Sequence, residues 1–149
     1  MSSPYRVLFL CTGNSARSQM AEALVNALWG ERWQAFSAGT HPTGYVHPLA
    51  LQALQEIGIE HRGTSKSIAE LPTTDFDLVI TVCDAAAEEC PLWLGPGRRV
   101  HQGYPDPAAM GETEEERLEA FRQTRDRMLQ ELPELLKRWE TILGGSPQP

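Results

Sequence analysis

The stretch from Arg6 to Gln19, RVLFLCTGNSARSQ, constrains this chain more than any other. Val7, Leu8, Phe9 and Leu10 form a short unbroken run of strand-forming residues, which suits a strand buried on both faces. Cys11 closes the run, and Thr12, Gly13, Asn14, Ser15, Ala16 and Arg17 follow as a tight polar loop. Ser18 opens a helical pattern through Met20, Ala21, Leu24, Leu28 and Trp29. A strand that turns this quickly into a helix N-terminus aims loop N–H groups and the positive end of a helix dipole at one spot. Those are the parts of an oxyanion cradle. Cys11 lies at its floor and Arg17 at its rim. The field that holds a tetrahedral anion also lowers a thiol pKa, so Cys11 is expected as a thiolate near neutral pH. The planar fork of Arg17 suits two oxyanion oxygens. Taken singly, Cys11 and Arg17 read as a packing residue and a solvated charge. The strand before, Gly13 and Asn14 within, and the helix after argue together for the cradle. Ser18 is placed to hydrogen-bond the Cys11 sulfur or to cap the helix, and Asn14 to fix the loop through backbone groups. The loop lacks the Lys-Ser/Thr pair of a nucleotide-binding P-loop.

The 149 residues fit one domain, spanning 1–149, with no repeat, low-complexity tract or linker to divide it. A net charge of −7 argues against nonspecific nucleic-acid or anionic-membrane binding. The first apolar run is too short for a signal peptide, and nothing approaches a membrane span. Three cysteines, an odd number with no export signal, point to reactive or buried thiols in a reducing cytoplasm rather than to a disulfide scaffold. The histidines at 41, 47, 61 and 101 have no ligand spacing among themselves or with the cysteines. They read as loop or packing residues, and no metal site is expected from them.

Further along, Gly30 ends the first helix and Trp33 to Ala38 reads as a second strand, followed by a loop over 39–44. His47-Pro48 starts a second helix with Leu49, Ala50, Ala53, Leu54 and Ile57 inward and Gly58 as its stop. A polar connector spans 59–66, and Ser67 to Leu71 fits one helical turn before Pro72. Asp77 to Val82 is the clearest strand after the first and ends at Cys83. Asp84 to Glu89 has helix-favouring composition and leads to Cys90-Pro91. Arg98 to Gln102 is a weaker strand, and 103–111 a loop carrying Tyr104-Pro105-Asp106-Pro107. Thr113 with Glu116 makes a capping box. The helix it opens turns Leu118, Phe121, Met128, Leu132, Leu135, Leu136, Trp139 and Ile142 inward, and Pro133 should kink or split it. Strands alternating with helices imply an α/β fold: a four-stranded parallel sheet with helices on both faces. Ligands of such sheets bind beyond the carboxyl ends of the strands, where Cys11, Cys83 and Asp106 all fall.

The form CTGNSARSQMAE resembles the active-site loop shared by low-molecular-weight tyrosine phosphatases and the thioredoxin-coupled arsenate reductases, and looks closer to the reductase branch. The resemblance runs from Val7 to the last helix and implies a low-molecular-weight phosphatase-like domain. In VITVCDAAAEECP, Cys83 and Cys90 resemble the redox pair of the reductases; their bland reading is one cysteine closing a buried strand and one on a helix. In QGYPDPA, Asp106 matches the acid of both branches, and its bland reading is a turn former between prolines. The phosphatases tend to carry aromatic residues directly after this Asp-Pro. Here Ala108, Ala109, Met110 and Gly111 follow, which favours a small inorganic anion.

The resemblance thus implies a monomeric cytoplasmic enzyme that binds arsenate, with phosphate as its analogue. Cys11 attacks the anion, held by residues 12–18 and Arg17. A disulfide then passes from Cys11 to Cys83 and Cys90, and thioredoxin is the reductant in place of any bound cofactor. A phosphomonoesterase, or a non-catalytic redox or oxyanion sensor, are the alternatives. A helix over the whole stretch 83–90 would set those Cα atoms about 10.5 Å apart. A disulfide spans roughly 7 Å, so the stretch is expected to loop out on oxidation. Asn14, Glu22 and Ser37 match positions that bind potassium in some reductases of this family. Where those proteins have Thr-Ser-Asp, this chain has Thr64-Ser65-Lys66, and an ammonium there argues against a potassium requirement.

Overall fold

The structure, a computed structural model, describes residues 4–84, 95 and 97–144. Four strands, β1 (Tyr5–Cys11), β2 (Trp33–Gly39), β3 (Leu78–Thr81) and β4 (Arg98–His101), form one parallel sheet in the order β2-β1-β3-β4. Among the described residues three α-helices accompany it: α1 (Arg17–Leu28), α2 (Pro48–Gln55) and α3 (Glu114–Gly144).

β1 is central because its run of apolar residues has no polar face to offer solvent. Val7, Leu8, Phe9 and Leu10 have no exposed surface at all. Val7 and Phe9 pack with Leu78, Ile80 and the inward residues of all three α-helices, including Met20, Leu54, Phe121 and Met128. Leu8 and Leu10 point the other way, into a smaller cluster with Ala38, Phe76 and Val79. That second face is covered by Ile68 and Leu71 at a 3₁₀ turn, Ile68–Glu70. Ser67 and Glu70 close this turn as a reciprocal capping box. Burying side chains of this size contributes about 1.5–3 kcal/mol each, and β1 spends both its faces on it.

The elements fall where local chemistry places them. His47 caps α2 with Pro48 at its first position, and Gly58 beyond it takes φ +83°. The Thr113–Glu116 box forms, with Glu116 N donating to Thr113 Oγ1 and Thr113 N donating to Glu116 Oε1. α3 runs 31 residues through Pro133 and does not split there. Its buried row from Phe121 to Leu136 outweighs the missing N–H, a loss of about 3 kcal/mol.

Two inward positions read from periodicity are corrected. Ile57 and Ile142 are exposed: Ile57 lies past the end of α2, and Ile142 in the last turn of α3. Across the helix pair, Glu56 accepts from Arg122 Nε at 2.9 Å and from Arg125 Nη1 at 2.9 Å, while Arg125 Nη1 also donates to Ala53 O at 2.7 Å. The two arginines, the hydrogen bond from Arg122 foremost, pull the Glu56 carboxyl down to about 2. The helical expectation over 84–89 lies, but for Asp84, outside the described residues, as does Cys90.

Candidate active site

The loop between β1 and α1 turns its carbonyls outward. Thr12 O accepts from His41 N, Gly13 O from Thr43 N and Ser65 Oγ, Ser15 O from His47 N, and Ala16 O from Met20 N. Asn14 O accepts from Gln19 Nε2 at 3.2 Å. In a trans peptide the N–H points opposite to the preceding C=O, so the amides of residues 13–17 turn inward. One of them identifies the focus: Asn14 N donates to Cys11 Sγ at 3.2 Å.

The sulfur has a second partner, Ser18 Oγ at 2.8 Å. Ser18 Oγ also accepts from Asn14 Nδ2 at 2.9 Å. Cys11 is buried and a free thiol. Of the two roles expected for Ser18, the bond to sulfur is the one made; α1 has no side-chain cap.

Asn14 is what gives the loop its shape. It is the only non-glycine residue at positive φ, +47°, among the described residues, a conformation that asparagine tolerates better than most. Its Oδ1 accepts from Gln19 Nε2 at 3.1 Å and from Lys66 N at 2.8 Å. Gln19 in turn accepts from His61 Nε2 at 2.7 Å, which assigns that ring nitrogen its proton. Gly39, the last residue of β2, lies so close that a Cβ there would collide with Thr12 O and crowd Asn14 N.

Above the loop is a cavity of about 190 Å³ lined by Cys11, Gly13, Ser15, Ala16, Arg17, Thr43, Tyr45, His47, Asp106 and Ala108. Arg17 is buried and donates from Nη1 to Tyr104 O at 3.0 Å, so the loop after β4 holds the guanidinium in place. Asp106 accepts from Ala108 N at 3.0 Å and caps the short turn Pro107–Ala109. The cavity thus joins Cys11, Arg17 and Asp106. Cys83 is fully buried just past β3 and is disulfide-bonded. The register pairs Leu10 with Thr81, so Cys83 lies one residue beyond the level of Cys11 on the neighbouring strand. A larger cavity, about 690 Å³, opens between Trp29, Arg32, Pro133 and Glu140, away from these residues.

Sequence reasoning missed the wall from the 39–47 loop. Tyr45, exposed, supplies an aromatic side that the Asp106-Pro107 segment lacks. His47 does more than pack. Its Nδ1 accepts from Leu49 N at 3.1 Å, its ring lies 4.8 Å from that of Phe121, and burial lowers its pKa. Neither residue carries a sequence signal for a cavity wall; that loop is tied to the cradle by the bonds from His41 N to Thr12 O, Thr43 N to Gly13 O and His47 N to Ser15 O. Among the described residues no group of three or more His, Cys, Asp or Glu side chains is arranged to hold a metal, and no helix is long and apolar enough to cross a membrane.

A four-stranded parallel sheet with a loop carrying Cys11 and Arg17 at the end of its inner strand β1 defines a class of protein. The chain belongs to the low molecular weight phosphotyrosine protein phosphatase family, whose model matches residues 6–142. Within that family it is similar to an arsenate reductase of Halalkalibacterium halodurans, 44% identical over 121 residues, covering 80% of this chain and 86% of the relative. Among solved structures it is similar to a low molecular weight protein tyrosine phosphatase from T. tengcongensis, with TM-score 0.70 and 26% identity over 90% of this chain and 99% of that one. It is also similar to the Corynebacterium glutamicum thioredoxin-dependent arsenate reductase, with TM-score 0.62 and 29% identity, covering 94% of this chain and 64% of that one.

Proposed function

We propose that this protein reduces arsenate to arsenite, using Cys11, Cys83 and Cys90 in turn and thioredoxin as the reductant. The inward amides and Arg17 bind the oxyanion. Cys11 attacks arsenic, and Asp106 protonates the oxygen that leaves. Cys83 then attacks Cys11 Sγ; the Cys11–arsenic bond breaks, its electron pair stays on arsenic, and arsenite departs. Cys90 attacks Cys83 Sγ, freeing Cys11, and thioredoxin reduces the Cys83–Cys90 pair.

The observation that carries this reading is the second cysteine at the same sheet end. A phosphatase needs a nucleophile, a cradle and an acid, whereas Cys83 supplies what a two-electron reduction also requires. Cys11 is free while Cys83 is disulfide-bonded, which supports a cycle in which the oxidised bond has moved off the nucleophile. The arsenate-reductase relatives agree with it.

Tyr45 favours a second reading, phosphomonoester hydrolysis, because an aryl ester seated over Cys11 could pack on its ring. Arsenate and phosphate share shape and charge, so weak phosphatase activity accompanies the first reading as well. Steady-state arsenite production with thioredoxin and its reductase, beside hydrolysis of an aryl phosphate, separates the two. Sustained arsenite release supports the reductase; ester hydrolysis with no arsenite supports the phosphatase.

A further inference from the structure

A polar cluster adjoins Asn14 that the proposed chemistry does not use. Glu22, half-buried on α1, accepts from Ser37 Oγ on β2 at 2.6 Å. Ser37 is fully buried, and its carbonyl accepts from Lys66 Nζ at 3.2 Å. Burial pushes the Glu22 carboxyl up, while the Ser37 hydrogen bond and the Lys66 charge pull it back. A carboxylate withdrawn from water needs a nearby positive charge to stay ionised, and Lys66 is the cation that acts on it. The same residue donates its backbone N–H to Asn14 Oδ1 at 2.8 Å.

Asn14, Glu22 and Ser37 are the oxygen donors that the family resemblance assigns to a potassium site. A metal does not fit them in this chain, because the ammonium of Lys66 already bonds the Ser37 carbonyl. We infer that Lys66 is a tethered cation: its ammonium supplies the charge this oxygen cluster requires, and its backbone transmits that anchorage to Asn14 and the anion loop. Lys66 is thus a positioning residue that acts through Asn14 on Cys11 and Ser18. The inference rests on residues 12–18 binding an oxyanion, and not on whether arsenate is reduced.

The consequence is a loop whose order is indifferent to dissolved monovalent cations. Thermal unfolding and the Kd for inorganic phosphate, each measured in potassium chloride and in choline chloride at matched ionic strength, test it. The wild-type protein should give the same Tm and Kd in both salts. Lys66→Asp exchanges the tethered charge for a further oxygen ligand. It should unfold at lower temperature in choline and regain about 3–5 °C in potassium. Lys66→Met, which keeps the apolar stem and adds no carboxylate, should weaken phosphate binding several-fold in choline and serves if Lys66→Asp does not fold. A potassium-specific rise in Tm or in phosphate affinity for the wild-type protein would overturn the inference. So would Lys66→Met and Lys66→Asp proteins matching wild type in both salts. Loss of phosphate binding by the wild-type protein itself would instead condemn the cradle.

Discussion

Asn14 carries more of the site than its size suggests, because one side chain bonds Ser18, Gln19 and the backbone of Lys66 while the residue holds φ +47°. Alanine at this position should lose bonds worth about 1 kcal/mol each and strain the turn by roughly 1–2 kcal/mol. Asn14→Ala is therefore expected to lower kcat/KM at least ~10-fold for arsenate and aryl phosphate alike, read by steady-state kinetics on both substrates. Cys11→Ser and Arg17→Ala remove the nucleophile and the clamp common to both reactions. Each should abolish both, the clamp alone accounting for ~10²–10³-fold; near wild-type turnover in either variant would take the site out of the account. His47 links this scale to pH. Its folded pKa is lowered from 6.5, first by burial, with Asp106 raising it and Arg117 lowering it further. The unfolded chain thus binds this proton more readily. The resulting stability is complete above pH ~6.5 and lost as pH falls towards the folded value. Denaturant midpoints from pH 7.5 to 5 should fall, and fall less in His47→Asn, whose amide oxygen can still cap α2.

At the scale of elements, the ion-pair clamp between Glu56 beyond α2 and Arg122 and Arg125 on α3 gives a second pH signature. The Glu56 pKa is depressed from 4.5 to about 2, so its contribution is present above pH 4.5 and fades as pH falls towards 2. Glu56→Gln should lower Tm at pH 7 and have little effect near pH 2.5, as followed by circular dichroism. What could be read from the chain beforehand is local in origin, unlike this clamp, whose partners come from the end of α2 and from α3. β1 and β3 were legible because fully buried strands leave runs such as VLFL and LVI, and the helix starts because Pro48 and the Thr113–Glu116 box act within one turn. Ile57 and Ile142 were misplaced because periodicity identifies a face but not where an element's packed part ends. Tyr45 and His47 escaped because a cavity wall made by a loop depends on a fold-back between His47 N and Ser15 O, which no spacing encodes. The second sheet face was legible only as one turn over 67–71, and that turn forms.

For the whole molecule, the parallel sheet brings together residues that the sequence holds far apart. β1 ends at Cys11, β3 leads to Cys83, and the loop after β4 delivers Asp106 and the carbonyl that holds Arg17. That convergence was legible before the structure, since ligand sites of parallel sheets lie beyond strand C-termini; the contacts holding Arg17 to Tyr104 and Cys11 to Ser18 were not. In the proposed cycle two electrons pass to arsenic from Cys11 and Cys83, and the oxidised bond then moves outward to the Cys83–Cys90 pair and to thioredoxin. Cys83→Ser and Cys90→Ser should therefore stop multiple turnover while leaving aryl phosphate hydrolysis largely intact, as no electrons are needed there. The most direct measurement is arsenite released in a single turnover by each variant, mixed reduced with excess arsenate and no thioredoxin. The account predicts about one arsenite per enzyme from Cys90→Ser, with a Cys11–Cys83 disulfide found by mass spectrometry, and none from Cys83→Ser. Stoichiometric arsenite from Cys83→Ser, or full-speed turnover by both variants with thioredoxin, would contradict it.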